Sequence, residues 1–554
     1  MTRQKDQTFK LDRRELMAMV ATLTGAGATG TAVAGGASTA AGLSAASGYR
    51  VYKSMFPHDT FRDYMEDLER RGLVMRVKRM DQDEYEITAV AYRLMDCFGM
   101  YEAPAVLVEE VKIDGEWVKG PVIINNMGHW DTEAITLGLE PVPLHGIETY
   151  RQAIQYILDL VEKNGGSLPE IPPVVVSKDQ ARVKEQVYTG DDIDITQFPF
   201  IKSNPADSAR YVNTGSIFTD DVDEGKNFGT YRCEIKGPRK IGVNPENGQG
   251  AWRAFMAKKK RGEKQAVVSI AVGQDPLVWT ISGSAVSKSG KVDELALVGG
   301  LRGKPLEVVK SETNDLMVPA HAEMIIEGIV PLDEPMEPEG PFGEMYGYLG
   351  LKKDENFFMN ITAITCRKDP WILNQFTGVT RGFVTAPLEG VSLARLRKLS
   401  PNIVAFHSPV EATGLGFLSI KKTKPGEALS IGKKIARIVP ITKALIVVDD
   451  DIDVYDRTQM MFAMGSRWQP SPATEIIESA RGMPLDPSSP NRPMSSKIIV
   501  DATRQWPEEG GPEEYPALNR TLLEDLAPQS FTRVDKKWGE MVADWERQRA
   551  KRLG

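Results

Sequence analysis

The chain reads EPEGPFGEMYGY from Glu337 to Tyr348, and this stretch is the densest unusual segment of the sequence. Two prolines and three glycines in twelve residues predict a tight, irregular backbone path. Glu339 and Glu344 lie on this path, five residues apart, among aromatic neighbours. A fixed backbone and apolar surroundings raise the pKa of a glutamate towards neutrality, so this segment is a candidate for a general acid. An acidic surface turn is the alternative interpretation.

Two weaker candidates lie upstream. The segment from Asn227 to Arg232 follows an acidic turn, and its arginine could orient an anion through a bidentate guanidinium. A surface arginine is the alternative. Glu294, in the run Lys-Val-Asp-Glu-Leu, is the third candidate, although its sequence context alone also fits a solvated glutamate.

Composition excludes several classes of protein. A chain of 554 residues is expected to form two or three domains. A net charge of -8 argues against general attraction to nucleic acid. The cluster at 258–261, Lys-Lys-Lys-Arg, could be a phosphate patch or a solvated helix end. Three scattered cysteines exclude a disulfide framework and a thiolate zinc site, and no apolar run reaches the roughly 18 residues of a membrane span.

The N-terminal residues 1–46 are set apart from the predicted fold. Arg13 and Arg14 precede a weakly apolar stretch rich in Ala, Gly and Thr, a pattern typical of a twin-arginine export signal. The prediction is export to the periplasm; the alternative is a flexible tail on a cytoplasmic protein.

Hydrophobic periodicity predicts three folded regions and a linking helix. An amphipathic helix from Tyr150 to Val161 and the prolines that follow close an N-terminal α/β domain, 50–173. Strand-like runs separated by Gly, Asn and Asp predict a β-rich, barrel-like domain over 174–385. A linking helix, 386–400, leads into alternating strands and helices over 401–554, which predict a C-terminal α/β domain.

Taken together and in order, these clusters resemble the UbiD decarboxylase family over roughly residues 55 to 510. The most specific match is the Pro-Glu-Gly-Pro-Phe-Gly-Glu segment. The matching stretches are residues 210–212, 227–232, 301–303, 314–320, 327–328, 339–348 and 449–454. The resemblance implies a mixed α/β multidomain fold in which the central domain is a split β-barrel similar to flavin reductases and the C-terminal domain mediates oligomerisation.

The resemblance also implies a chemistry. The cofactor would be prenylated FMN, supplied by a separate prenyltransferase and bridged through its phosphate by a divalent metal, usually Mn²⁺, with K⁺. The family's catalytic set falls on Arg232, Glu339 and Glu344. By this analogy Glu344 delivers the proton that replaces carbon dioxide, while Arg232 and Glu339 hold the substrate carboxylate. An electron-accepting cofactor is needed because no side chain can absorb the charge left on carbon.

The implied cofactor site is less uniform. Asn227 and Glu294 match two of the family's three metal ligands, but Gly250 occupies the position of the third, a histidine. Gln249 or Glu246 could substitute as an oxygen ligand, or the site could bind metal weakly. The further positions that fall where the family contacts the flavin or its phosphate are Thr214, Ser284, the backbone at Val286, and Arg437.

The predicted function is therefore reversible decarboxylation of an aromatic or α,β-unsaturated carboxylic acid by a homo-oligomer, a dimer or a hexamer. Three alternatives remain open at this point: a carboxylase working in the opposite direction, an FMN-dependent reductase, and a non-catalytic flavin-binding protein. The residues do not name the substrate.

Overall fold

The computed structural model describes residues 52–143, 145–284, 286 and 292–553, without the side chains of 546 and 549–553. The predicted export signal lies outside these residues. The chain divides into two compact units, of which the larger comprises Tyr52–Pro141 and His145–Thr503 and the smaller includes Arg504–Gly554.

The described helices and strands follow in chain order. The helices are α1 Phe61–Arg70, α2 Glu86–Phe98, α3 Asp131–Ile135, α4 Gly146–Lys163, α5 Gly250–Lys260, α6 Pro276–Ser282, α7 Glu294–Arg302, α8 Ala386–Arg397, α9 Glu427–Ile438, α10 Arg457–Ser466, α11 Asn519–Leu526 and α12 Gln529–Leu553. The strands are β1 Val74–Asp81, β2 Ala105–Ile113, β3 Glu116–Ile124, β4 Val174–Val175, β5 Gln186–Thr189, β6 Tyr211–Val212, β7 Ser216–Asp221, β8 Gly225–Thr230, β9 Cys233–Gly237, β10 Lys240–Val243, β11 Gln265–Val272, β12 Glu307–Lys310, β13 Met317–Pro319, β14 Met324–Pro331, β15 Glu337–Glu339, β16 Lys353–Cys366, β17 Ile372–Leu373, β18 Ile403–His407, β19 Leu415–Ile420, β20 Ala444–Asp449, β21 Thr474–Arg481 and β22 Met494–Asp501.

Helix α1 shows how the sequence produces these elements. Thr60 and Asp63 form a reciprocal capping box that satisfies two backbone N–H groups at the helix start. Phe61, Tyr64 and Leu68 then recur at helical spacing and are buried. The capping box and the apolar spacing together account for this helix.

The central sheet carries the elements that build the site. Its ten strands include the path β6-β9-β10-β16-β14-β11-β7-β8, with β5 and β15 also pairing with β16. Every pairing in it is antiparallel. The inner strand β14 is buried along nearly its whole length, as expected for a strand covered on both faces.

Three further sheets complete the fold. Four strands in the order β1-β2-β3-β17 form the N-terminal sheet, and β13-β12-β4 form a small one. The C-terminal sheet has the order β18-β19-β20-β22-β21 and is parallel from β19 through β20 to β22. The predicted mixed α/β multidomain class is confirmed. Across the described ranges, no helix combines the length and apolar composition that a membrane span requires.

The linking helix α8 is held by a buried carboxylate. Glu389 accepts hydrogen bonds from the Tyr150 hydroxyl (2.6 Å) and the Ser408 amide (2.7 Å), and it lies 2.9 Å from His407 Nδ1. These contacts join α8 to α4 on one side and to the end of β18 on the other. A single side chain therefore ties together elements from three parts of the sequence.

Candidate active site

Arg232, Glu339 and Glu344 form one buried cluster. Arg232 donates from Nε and Nη2 to the two carboxylate oxygens of Glu339, both at 2.8 Å, and from Nη1 to Glu344 Oε1. Glu339 is 1% exposed and Glu344 is 7% exposed. Three of the five N–H donors of the guanidinium are used in these bonds, so two are left for a further acceptor.

Backbone geometry places the three side chains. Arg232 lies in the turn between β8 and β9, and Glu339 ends β15 opposite Lys353 of β16. Gly340 then takes φ +80°, a left-handed conformation that favours glycine. The loop after it is closed by hydrogen bonds from Glu344 N to Tyr348 O (2.9 Å) and from Gly350 N to Phe342 O (2.8 Å). The Gly-Pro-Phe-Gly sequence therefore brings Glu344 within hydrogen-bonding distance of Arg232.

The electrostatics of the cluster suit an acid. Burial raises the pKa of Glu344 above its ordinary value, although the nearby Arg232 acts in the opposite direction. For Arg232, burial alone would lower the pKa, but the bonds to Glu339 and the charge of Glu344 outweigh it and raise the pKa. One permanently charged guanidinium thus faces one carboxyl whose pKa is raised by its burial.

A cavity of about 100 Å³ opens beside this cluster. Glu344 lies on its wall with the aromatic rings of Phe342, Phe376 and Tyr348. Phe342 also packs against Tyr211 and under the Arg232 guanidinium, with centroid distances of 4.4 and 5.4 Å. A cavity wall that combines aromatic rings with acidic side chains, next to a buried arginine, can hold a flat carboxylic acid.

The predicted metal ligands also converge. Asn227 Nδ2 lies 3.4 Å from Glu294 Oε2, and Asn227 Oδ1 is buried without a hydrogen-bond partner among the described residues. A Cβ built on Gly250 would lie 2.1 Å from that same Asn227 oxygen. Burial raises the pKa of Glu294 to about 7.

These residues fit a divalent cation, but only as part of its shell. Asparagine and carboxylate oxygens are the hard donors that Mg²⁺ and Mn²⁺ accept, and phosphate oxygens commonly complete such sites. No group of three or more His, Cys, Asp or Glu side chains converges anywhere in the described ranges. With glycine at position 250, Asn227 and Glu294 are the two predicted ligand side chains that converge here.

Three other predicted cofactor residues form hydrogen bonds within the protein. Thr214 is buried and donates to Leu373 O at 2.7 Å, Ser284 donates to Ile281 O at 3.3 Å, and Val286 O accepts from Arg395 Nη2 at 2.5 Å. Arg395, on α8, was not expected from the sequence, because nothing in a helical run distinguishes one arginine from another.

Gln249 and Arg437 are both exposed, and their predicted roles towards the metal and the cofactor phosphate stay predictions. Gln249 is exposed and its Oε1 accepts from Glu246 N at 2.6 Å, so the oxygen is used locally in the turn before α5. Arg437 is exposed in the last turn of α9, whose apolar side with Ile431 and Ile435 is buried. Helical periodicity turns Arg437 away from that packed side.

Asp207 was also missed by sequence reasoning. It accepts a hydrogen bond from Gly343 N at 3.0 Å and lies on the wall of the same cavity as Glu344. It stands in an Asn-Pro-Ala-Asp turn, where an aspartate ordinarily serves the turn itself.

Three domain models of one enzyme family match this chain. Models of the N-terminal, Rift-related and C-terminal domains of 3-octaprenyl-4-hydroxybenzoate carboxy-lyase match residues 65–146, 174–380 and 383–502. An uncharacterised protein of Aquifex aeolicus is 29% identical over 504 residues, which covers 88% of this chain and 99% of that protein.

Solved structures agree with the sequence matches. Vanillic acid decarboxylase of Sedimentibacter hydroxybenzoicus, in its closed form, superposes with a TM-score of 0.71 at 26% identity and covers 86% of this chain and 98% of its own. The UbiD-class enzyme HmfF of Pelotomaculum thermopropionicum, solved with FMN, gives a TM-score of 0.70 at 26% identity and covers 83% and 97%.

Proposed function

The chain belongs to the UbiD family of carboxy-lyases, and from this premise we propose that it decarboxylates an aromatic or α,β-unsaturated carboxylic acid with prenylated FMN. The observation that supports the proposal most directly is the buried cluster of Arg232, Glu339 and Glu344 beside an aromatic-walled cavity.

The cofactor proposal has a basis in the donor set. Asn227 and Glu294 would hold the divalent cation, expected to be Mn²⁺, and K⁺ is expected beside it. The expected flavin contacts are Thr214, Ser284 and the backbone at Val286. A separate prenyltransferase would supply the prenylated flavin. When bound, the cofactor would supply the electron acceptor that takes up the charge left on carbon. HmfF, solved with FMN, provides the precedent.

The roles of the protein residues follow from their positions. Arg232 offers two N–H donors to the substrate carboxylate, and Glu339 holds the guanidinium flat through a bidentate bond. Loss of carbon dioxide breaks a C–C bond and leaves its electron pair on the substrate. Glu344 then gives its carboxyl proton to that carbon, which restores a neutral C–H product and leaves a Glu344 carboxylate.

The test uses protein co-produced with a prenyltransferase and assayed against a panel of unsaturated and aromatic acids in D₂O. We expect carbon dioxide release and deuterium at the former carboxyl carbon. Glu344→Gln keeps the size of the side chain but has no acidic proton, so its turnover should fall about 10²–10⁴-fold while flavin content is unchanged.

The same experiment separates the competing functions. A Glu344→Gln variant that turns over and incorporates deuterium at nearly the wild-type rate would remove this residue as the donor. Bleaching of the bound flavin by NAD(P)H without release of carbon dioxide would identify a reductase instead. Exchange of labelled carbon dioxide into the acid would measure whether the reaction runs in reverse.

A further inference from the structure

Asp207 is a second acid in the cavity that holds Glu344. The residue is 3% exposed, and its Oδ1 accepts from Gly343 N at 3.0 Å. Its Oδ2 is buried and has no hydrogen-bond partner within the described residues. The cavity wall contains both carboxyl groups.

The position of Asp207 relative to Glu344 is firmly set. Next to the bond from Gly343, Ser208 N donates to Pro341 O at 2.9 Å, so two consecutive residues clamp the loop that carries Glu344. The clamp uses only one carboxylate oxygen. A buried polar atom without a partner is costly, and its presence in a cavity indicates that a mobile partner, such as water or a ligand, completes it.

The proposed reaction needs such a group. Each turnover leaves Glu344 as a carboxylate, and Arg232, which bonds Glu344 Oε1, stabilises that charged form. A new proton must reach a side chain that is only 7% exposed. The same cavity wall includes Tyr348, which is 65% exposed, so the cavity connects the buried acids to solvent.

We propose that Asp207 is a proton-relay residue that returns a proton from solvent water to Glu344 through the cavity after each turnover. The inference rests on the proposed function. In the relay a water proton passes to Asp207 Oδ2, and Asp207 passes it through a cavity water to the Glu344 carboxylate, so that Asp207 ends each cycle as it began and hydroxide leaves to solvent.

The charges around Asp207 are compatible with this role. Burial raises its pKa to about 6, and the backbone N–H groups of Gly343 and Asn204 oppose the rise, as do the more distant charges of Lys202 and Arg232. Burial also raises the pKa of Glu344. Burial thus raises the pKa of both acids towards neutrality, the direction that suits groups that take up and release protons near neutral pH.

Asp207→Asn separates the relay from the clamp. The amide oxygen can still accept from Gly343 N, whereas the amide nitrogen that replaces Oδ2 cannot carry an acidic proton. In flavin-loaded protein prepared with Glu344 protonated, we expect a normal first turnover followed by a steady state at least ~10-fold slower. KM should not rise, the solvent isotope effect on steady-state turnover should increase, and added formate should partly restore the rate.

Two further variants and two measurements without turnover make the experiment decisive. Glu344→Gln should fail already in the first turnover, and Asp192→Asn, a change at an exposed acid, should behave as wild type. An infrared titration of cofactor-free protein should show a carboxyl stretch that disappears in Asp207→Asn and responds to D₂O exchange. Flavin content and the thermal midpoint should match wild type, which checks that the clamp survives.

The outcomes that overturn the relay are distinct. Steady-state turnover of Asp207→Asn equal to wild type removes the relay, and a raised KM with unchanged maximal rate assigns Asp207 to substrate binding instead. A variant that loses flavin or stability assigns it to the clamp alone. If loaded wild-type protein releases no carbon dioxide from any acid, the proposed function itself fails and the relay fails with it.

Discussion

Arg232 has two buried glutamates as partners, and its charge opposes the protonation of Glu344. Arg232→Ala should therefore raise the pKa of Glu344 further and move the alkaline limb of any remaining activity to higher pH. Infrared titration of the Glu344 carboxyl is the measurement. Turnover should fall because the substrate carboxylate loses a charge-assisted contact. Arg232→Lys keeps the charge and is the control; a Glu344 pKa that falls or stays constant in the alanine variant contradicts the prediction.

Gly250 lies directly beside the predicted metal ligand Asn227. A Cβ at this position would displace the Asn227 amide, whose oxygen lies 2.1 Å from it. If Asn227 is a metal ligand, Gly250→Ala should weaken Mn²⁺ affinity roughly 10–100-fold, as changes that misplace a ligand typically do. Mn²⁺ titration followed by EPR is the readout. Gly465→Ala, on α10 with nothing within 4 Å of the added carbon, is the matched control. Equal affinity in both variants would exclude Asn227 from the metal site.

Among the elements, the linking helix α8 depends on the buried Glu389 carboxylate. The hydrogen-bond pattern also assigns the His407 tautomer, because Arg457 Nη2 can only donate to Nε2, 3.0 Å away, and Nδ1 then carries the proton towards Glu389. Glu389→Gln offers one acceptor oxygen in place of two, which leaves a buried donor without a partner. We expect the free energy of unfolding to fall by about 1–3 kcal/mol.

Denaturant unfolding of Glu389→Gln, with Glu478→Gln as an exposed control, measures this loss. An unchanged midpoint would show that α8 is positioned by its apolar contacts. A lowered midpoint would show that the carboxylate stabilises the protein by joining α4, α8 and β18. The boundaries predicted from the sequence at residues 173, 385 and 400 stay predictions, because all three lie inside the larger compact unit.

For the whole molecule, the expectation is a folded, exported oligomer. The twin-arginine pathway carries folded cargo, which suits a protein that must acquire its cofactor in the cytoplasm. Replacing Arg13 and Arg14 by lysine should therefore trap a longer precursor in the cytoplasmic fraction, detected by fractionation and N-terminal sequencing. Wild-type protein recovered from the cytoplasm with its first residues intact would contradict export. The dimer or hexamer stays a prediction that light scattering can test.

The sequence alone predicts the class of fold, because buried strands and amphipathic helices leave periodic patterns. It also predicts the family, because residues 339–348 are specific in both type and spacing. It also singled out Arg232, Glu339, Glu344, Asn227 and Glu294, which the structure brings into two clusters. Only tertiary structure decided which polar side chains share a cavity. Asp207 lies 137 residues before Glu344 in the sequence. The fold brings the loops at 207 and 343 into contact and leaves Asp207 Oδ2 without a hydrogen-bond partner among the described residues. The exposed position of Arg437 also follows from helical phase and packing, which single residue types do not encode.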